Sequence, residues 1–146
     1  MTALILCLDQ IWMDTPPEKR LPSWPRVWCS ISFFSAQYWL SGAMDSVEAA
    51  VPTIHITLML LAVTGWGLFD ASAAGLVLGM STALSGPSVE ALLINTTDLY
   101  HYTHADVAGV CSWIPWVYFL GEAGVGNLAR RLYHHNCARE AKKRDA

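Results

Sequence analysis

Positive charge is missing from the middle of this sequence. No Lys or Arg occurs between Val27 and Ala129; Lys19, Arg20 and Arg26 precede the gap, and six more basic residues from Arg130 to Arg144 follow it. A water-soluble fold intersperses charges of both signs over its surface, so this gap argues against one. Charge is scarce overall, at 14% of 146 residues, where a soluble domain of similar length carries about a quarter. The four cysteines, Cys7, Cys29, Cys111 and Cys137, form no CxxC pair, which leaves neither a zinc motif nor a disulfide framework. There is no internal repeat, no glycine loop to cradle a phosphate, no serine or cysteine triad and no basic surface for nucleic acid. Neither a cofactor nor a catalytic residue is called for.

What is present is apolar. Hydrophobic residues make up 53% of the chain, and seven are tryptophan. Four segments have the length and composition to cross a bilayer, which takes roughly 20 mostly apolar residues per helix. They are residues 27–43, with Gln37 as the main polar exception, 49–69, with His55 near one end, 71–97, whose one acid is Glu90, and 107–129, whose one charge is Glu122. The runs are too long for strands and lack period-2 alternation, so they read as helices. The expected fold is an all-α integral membrane protein, a single membrane domain over residues 1–146 built as a bundle of four transmembrane helices. Lys and Arg collect on cytoplasmic flanks. Residues 18–26 and a basic tail, 130–146, therefore face the cytosol, and an even number of spans agrees with that.

Several polar residues are candidates for chemistry. An ionisable side chain inside a span usually faces the bundle interior or a cavity, so Glu90 is a functional candidate by default. The same helix holds Gly86, Pro87, Ser88, Asn95 and Thr96, and Pro87 is expected to kink it and free a backbone carbonyl. Glu122 sits among glycines nearer a helix end. Ala71, Gly75, Gly79 and Ala83 recur every four residues, a stripe that lets helices approach closely in lipid. Asp70 closes one apolar run and is a natural N-cap for the next, with Ser72 beside it. His101 and His104 share one side of a turn, with Asp98, Asp106 or His55 as further ligands. A metal normally takes three or four protein ligands, and a lumenal loop facing water or headgroups accounts for the same residues without one, so no metal is assigned.

The order of motifs carries a resemblance. Asp70-Ala71-Ser72-x-x-Gly75-x-x-x-Gly79, then Tyr100-x-Tyr102-Thr103-x-x-Asp106, Ser112-Trp113-Ile114-Pro115 and Gly126-Asn127-Leu128-Ala129-Arg130 resemble the second half of the Insig (insulin-induced gene) proteins, in order and spacing. ISFFSAQYWLSG resembles the preceding family helix, and ILCLDQIWMDTPPEKRLPSWPR the end of its second helix and the loop after it. The resemblance implies a remnant of a six-helix bundle, helices three to six with a stub of helix two, from a chain with a missing N-terminal part. It implies an endoplasmic reticulum membrane protein, another organelle membrane being the alternative. It also implies a sterol or a diacylglycerol-like lipid bound within the bundle, and a membrane partner with a sterol-sensing domain. By the same resemblance, Asp70 matches an aspartate used in partner binding, and Glu90 falls near a glutamine position on the pocket-lining helix. Glu90, Asn95 and Trp113 are expected to bind the ligand, and Asp70 the partner. The carboxylate at 90, Gly86-Pro87 and the absence of an arginine after Asp70 depart from the family pattern and bear on which lipid and which partner. Two other readings stay open: a small membrane enzyme of isomerase type, with Glu90 and a histidine such as His55 shuttling protons, and a ligand-free accessory subunit of a membrane complex.

Overall fold

The computed structural model describes residues 21–97 and 99–144. The helix remnant expected before residue 14, the loop through residue 20 and Asp98 lie outside them. Four α-helices follow in order: α1 (Trp24–Ser46), α2 (Val51–Phe69), α3 (Ala73–Thr96) and α4 (Ile114–Arg144). No named strand occurs among the described residues.

Local sequence explains where each helix starts. Ser23 caps α1, its side chain accepting from the Arg26 amide at 3.4 Å, and a proline occupies the first turn. The missing proline N–H would have no partner there in any case. A proline starts α2 in the same way. Ser72 caps α3, accepting from Gly75 N at 2.9 Å. Asp70 therefore does not cap α3 as expected; it is the C-cap of α2. Ala71, at φ 54°, turns the chain between the two helices.

The last helix differs from its expected span of 107–129 at both ends. Residues 107–110 form a tight antiparallel turn, Val110 N to Val107 O at 2.9 Å and Val107 N to Val110 O at 3.0 Å, with Ala108 and Gly109 at φ 49° and 86°. Two consecutive left-handed residues cannot continue a helix. The signal for the real start is Pro115, which belongs in a first turn. At the other end the basic segment, expected as a tail, continues α4 to Arg144. Beyond Gly126 no Gly or Pro interrupts a stretch rich in Ala, Arg, Lys and Leu, all favourable in helices. α3 runs through Pro87.

The distribution of polarity is inverted relative to a soluble protein. Gln37, Ser30, Ser41, Glu122, Asn127 and Arg130 are buried, while Trp39, Leu84, Leu92, Leu60 and Leu68 are each more than half exposed. That pattern suits a chain surrounded by lipid, where outward apolar side chains cost nothing and polar groups need internal partners. Two helices, α2 and α3, are long and apolar enough by composition alone to cross a membrane. α1 carries Arg26, Gln37 and Asp45, and the second half of α4 is basic, so neither meets that criterion.

α4 is the hub of the bundle. It packs against α1, α2 and α3, while α3 packs mainly against α4 and α1 mainly against α2 and α4. One core cluster joins Ile54 and Leu58 of α2 to Cys111, Trp113, Ile114 and Val117, and a second joins Ala62 and Ala83 to Phe119, Leu120 and Ala123. Gln37 ties the centre, its amide donating to the Leu58 carbonyl at 3.0 Å. The small-residue stripe is buried at Gly75, Gly79 and Ala83, whereas Ala71 is exposed in the turn before α3.

Candidate functional site: an internal cavity and a buried ion pair

Because α1 and α3 are both anchored on α4, a cavity of about 1140 Å³ lies between them. This exceeds the ~300–1,000 Å³ typical of pockets for drug-sized ligands. Phe34, Tyr38 and Trp39 line the α1 side, and Trp113, Ile114 and Val117 form part of the α4 side. Glu90 lines it from α3, and Tyr102 reaches it from the loop between α3 and α4.

Glu90 is held by two tyrosines. Tyr118 Oη donates to Oε1 at 2.5 Å and Tyr102 Oη to Oε2 at 2.7 Å. The reach of Tyr118 depends on Gly86: a Cβ at 86 would run into the Tyr118 ring. Lacking that atom, α3 lets the ring lie on its backbone and the hydroxyl arrive at Glu90, one turn along the same face. The carboxylate beside it raises the pKa of Tyr102, with burial as the larger cause. Sequence alone points neither tyrosine at Glu90; Tyr102 belongs to a loop motif. The glycine one turn before the in-span acid was the available signal.

Trp113 lies on the cavity wall, 6% exposed. Asn95 does not line it. Its side-chain amide donates to Ala91 O at 2.7 Å and Ala108 O at 2.9 Å, tying the end of α3 to the 107–110 turn. The structure thus brings Glu90 and Trp113 to one cavity and puts Asn95 beyond it, because Asn95 meets the turn that replaces the expected first turns of the last helix.

The two loop histidines differ in their surroundings. His104 Nδ1 lies 3.2 Å from Asp45 Oδ2 at the end of α1, and His101 is exposed. Among the described residues, no group of three or more His, Cys, Asp or Glu side chains could hold a metal ion. His55 is held by Ser112 and Trp116 rather than by Glu90. Trp116 Nε1 donates to His55 Nδ1 at 3.2 Å, which leaves the ring proton on Nε2, 2.9 Å from Ser112 Oγ. Ser112 in turn donates to Asp106 at 2.6 Å. Donation runs histidine to serine to aspartate. A serine activated as a nucleophile needs the histidine to accept from it.

At the opposite end from the 97–113 loop, Asp70 is enclosed. Its side chain is 4% exposed and lies 3.5 Å from Arg130 Nη1, itself 9% exposed. A Cβ at Gly75 would fall on the Asp70 carboxylate; the glycine leaves the space the acid occupies. Around it the last carbonyls of α2 are capped across the bundle, Arg26 Nη2 to Leu68 O at 2.9 Å and Asn127 Nδ2 to Phe69 O at 3.0 Å. Those carbonyls have no partner within their own helix. Asp70 is therefore packed inside the bundle rather than displayed on the surface.

These features define a class: a membrane-embedded helical bundle with one acidic, tyrosine-braced cavity and a cross-linked polar end. Comparison with known proteins narrows it. The chain is 33% identical over 126 residues to the insulin-induced gene 1 protein of Danio rerio, covering 86% of this chain and 48% of that protein. It is 30% identical over 137 residues to the insulin-induced gene 2 protein of Gallus gallus, covering 94% and 59%, and 30% identical over 116 residues to the gene 1 protein of Bos taurus. The chain is a distant homologue of the insulin-induced gene (Insig) proteins, and it spans about half the length of the curated relatives it matches. No family model and no solved structure matches it.

Proposed function

We propose that this chain is an Insig-like regulator of lipid homeostasis in the endoplasmic reticulum membrane. A sterol or a diacylglycerol-like lipid occupies the cavity between α1 and α3, against Glu90 and Trp113, and the loaded bundle associates with a membrane partner of the class that carries a sterol-sensing domain. All four helices cross the bilayer, α1 and α4 included, with both basic ends in the cytosol. The role is regulation by association, without a reaction. The observation that carries this reading is the cavity itself, apolar over most of its wall and polar where Glu90, Tyr102 and Tyr118 meet. The relationship to the insulin-induced gene proteins supports it.

The lipid changes partner binding only by its differential affinity for two packings of the bundle. Asp70 belongs to the partner function indirectly, since its pair with Arg130 sets the geometry of the end that α2, α3 and α4 share. The reading is tested with a photoreactive sterol and a photoreactive diacylglycerol on the purified protein, on Glu90→Gln and on Asp70→Ala. Saturable labelling that changes at Glu90 and persists at Asp70, together with loss of partner capture at Asp70, is the expected result. Absence of saturable labelling by both probes removes the lipid-binding reading.

A further inference from the structure

Many, though not all, of the polar groups on the cavity wall already donate their hydrogens within the protein; Tyr38, Trp39, Ser85 and Trp113 line it as further donors. Five hydroxyls there already donate to the protein: Ser41 to Tyr38 O, Ser46 to Ala43 O, Thr82 to Gly79 O, and Tyr102 and Tyr118 to Glu90. A hydroxyl has one hydrogen, and once it is donated only lone pairs remain for a ligand. The carboxylates of Asp45, Glu90 and Glu122 also line the cavity, and no Lys or Arg does. Asp45 has His104 beside it at 3.2 Å, so Glu90 carries the argument. Its two partners are neutral donors, which satisfy oxygen lone pairs without supplying a countercharge.

A ligand that engages Glu90 must bring hydrogens rather than lone pairs. An anionic head would meet like charge in a low-dielectric surrounding, where repulsion is strong. An ester or ketone without donors would offer nothing to the Glu90 carboxylate. A hydroxyl would offer one hydrogen. A protonated amine would offer up to three, and its charge would offset the carboxylate that the membrane otherwise penalises.

Resting on the proposed lipid-binding role of this cavity, we propose that it selects a lipid whose head carries a protonated amine, prefers it to a head carrying only a hydroxyl, and rejects an anionic head. Glu90 is the selecting group. The apolar wall of Phe34, Trp39, Trp113 and Val117 accommodates the chain of the lipid without discriminating among heads.

The test uses three photoreactive probes with the same alkyl chain, a long-chain amino alcohol, a diacylglycerol and a fatty acid, on purified protein in phosphatidylcholine nanodiscs at pH 7. The amino alcohol is expected to saturate at about tenfold lower concentration than the diacylglycerol, a step of ~1.4 kcal/mol. The fatty acid is expected to label without saturating. Glu90→Gln abolishes the preference for the amine, while diacylglycerol labelling weakens but stays saturable. The double variant Tyr102→Phe with Tyr118→Phe keeps the charge, removes both neutral donors, and is expected to widen the preference; it also serves if Glu90→Gln fails to fold, as judged by elution and melting.

Fatty acid labelling as strong as the amine, or an amine preference that survives Glu90→Gln, overturns the selectivity alone. So does saturable diacylglycerol labelling without amine labelling, which leaves the lipid-binding role standing. No saturable labelling by any probe overturns both.

Discussion

Gly75 is the space in which Asp70 sits. The glycine opens α3 one turn after its start, the aspartate ends α2, and a single added carbon on the former would overlap the carboxylate of the latter. The acid can then approach Arg130 to 3.5 Å with both side chains nearly sealed from outside.

Gly75→Ala and Asp70→Ala should therefore be coupled. Alone, Gly75→Ala displaces the carboxylate and costs about 1–3 kcal/mol through overpacking. In an Asp70→Ala background the added methyl meets empty space and should cost far less. Thermal melting of the four proteins in detergent measures the coupling; equal costs in both backgrounds would show that the contact does not govern stability.

Breaking the ion pair from one side should destabilise the bundle. Asp70→Ala removes a carboxylate 3.5 Å from a largely buried guanidinium, and losing a buried charged partner of this kind should cost about 1–3 kcal/mol. Asp70→Asn, which keeps the volume and some hydrogen bonding, should lose less. A melting point unchanged by Asp70→Ala would refute a structural role for the pair.

Two links that hold the loop between α3 and α4 should differ sharply in worth. Asp106 accepts from both the Ser112 amide and the Ser112 hydroxyl, at 2.5 and 2.6 Å. Asp106→Ala leaves both donors unmatched and lets His55 lose its register, a cost of about 2–4 kcal/mol summed over the two bonds. His104→Ala removes a contact with Asp45 whose histidine is 44% exposed, and should cost under about 1 kcal/mol. Proteolysis within residues 99–112, compared across the two variants, reads the difference locally.

Cys111 should resist thiol reagents. Burial, followed by repulsion from Asp45, Asp106 and Glu90, pushes its thiol up from 9.0 to about 11, and the thiolate is the reactive form. Cys29 and Cys137 are exposed and should label first with maleimide at pH 8. The raised value also fixes a sign. Between about pH 9 and 11 the folded chain keeps a proton that the unfolded chain releases, so this contribution to stability is whole below pH 9 and is lost as pH rises to 11. Melting from pH 8 to 10, wild type against Cys111→Ala, should show a steeper decline in the wild type.

Long charge-free runs made the four helices legible, since few alternatives suit such stretches. Their ends were less so. The residues before Ile114 are apolar enough to read as helix, yet the Ala108-Gly109 pair turns left-handed and the loop is organised by Asp106, a contact composition does not announce. Glu90 stood out as an acid in a span, whereas Tyr102 and Tyr118, 12 and 28 residues further on, become its partners only after the chain has folded back. Asp70 was visible as a helix-end residue; which helix it ends depends on one left-handed alanine.

The arrangement of α1, α3 and α4 resembles two covers bound to one spine. α3 is fastened chiefly along α4, and α1 is fastened along α4 and α2. α1 and α3 share little direct contact, so their separation is set by how each sits on α4. A guest of greater girth would be taken in by splaying α3 outward, with Gly86 and Gly79 sliding over the rings of Tyr118 and Phe119; the cluster around Ile54 and Leu58 would stay intact, while Ala83 would draw away from Phe119 and Leu120. Under the proposed function, occupancy of the cavity would then be legible from outside as the position of a single helix.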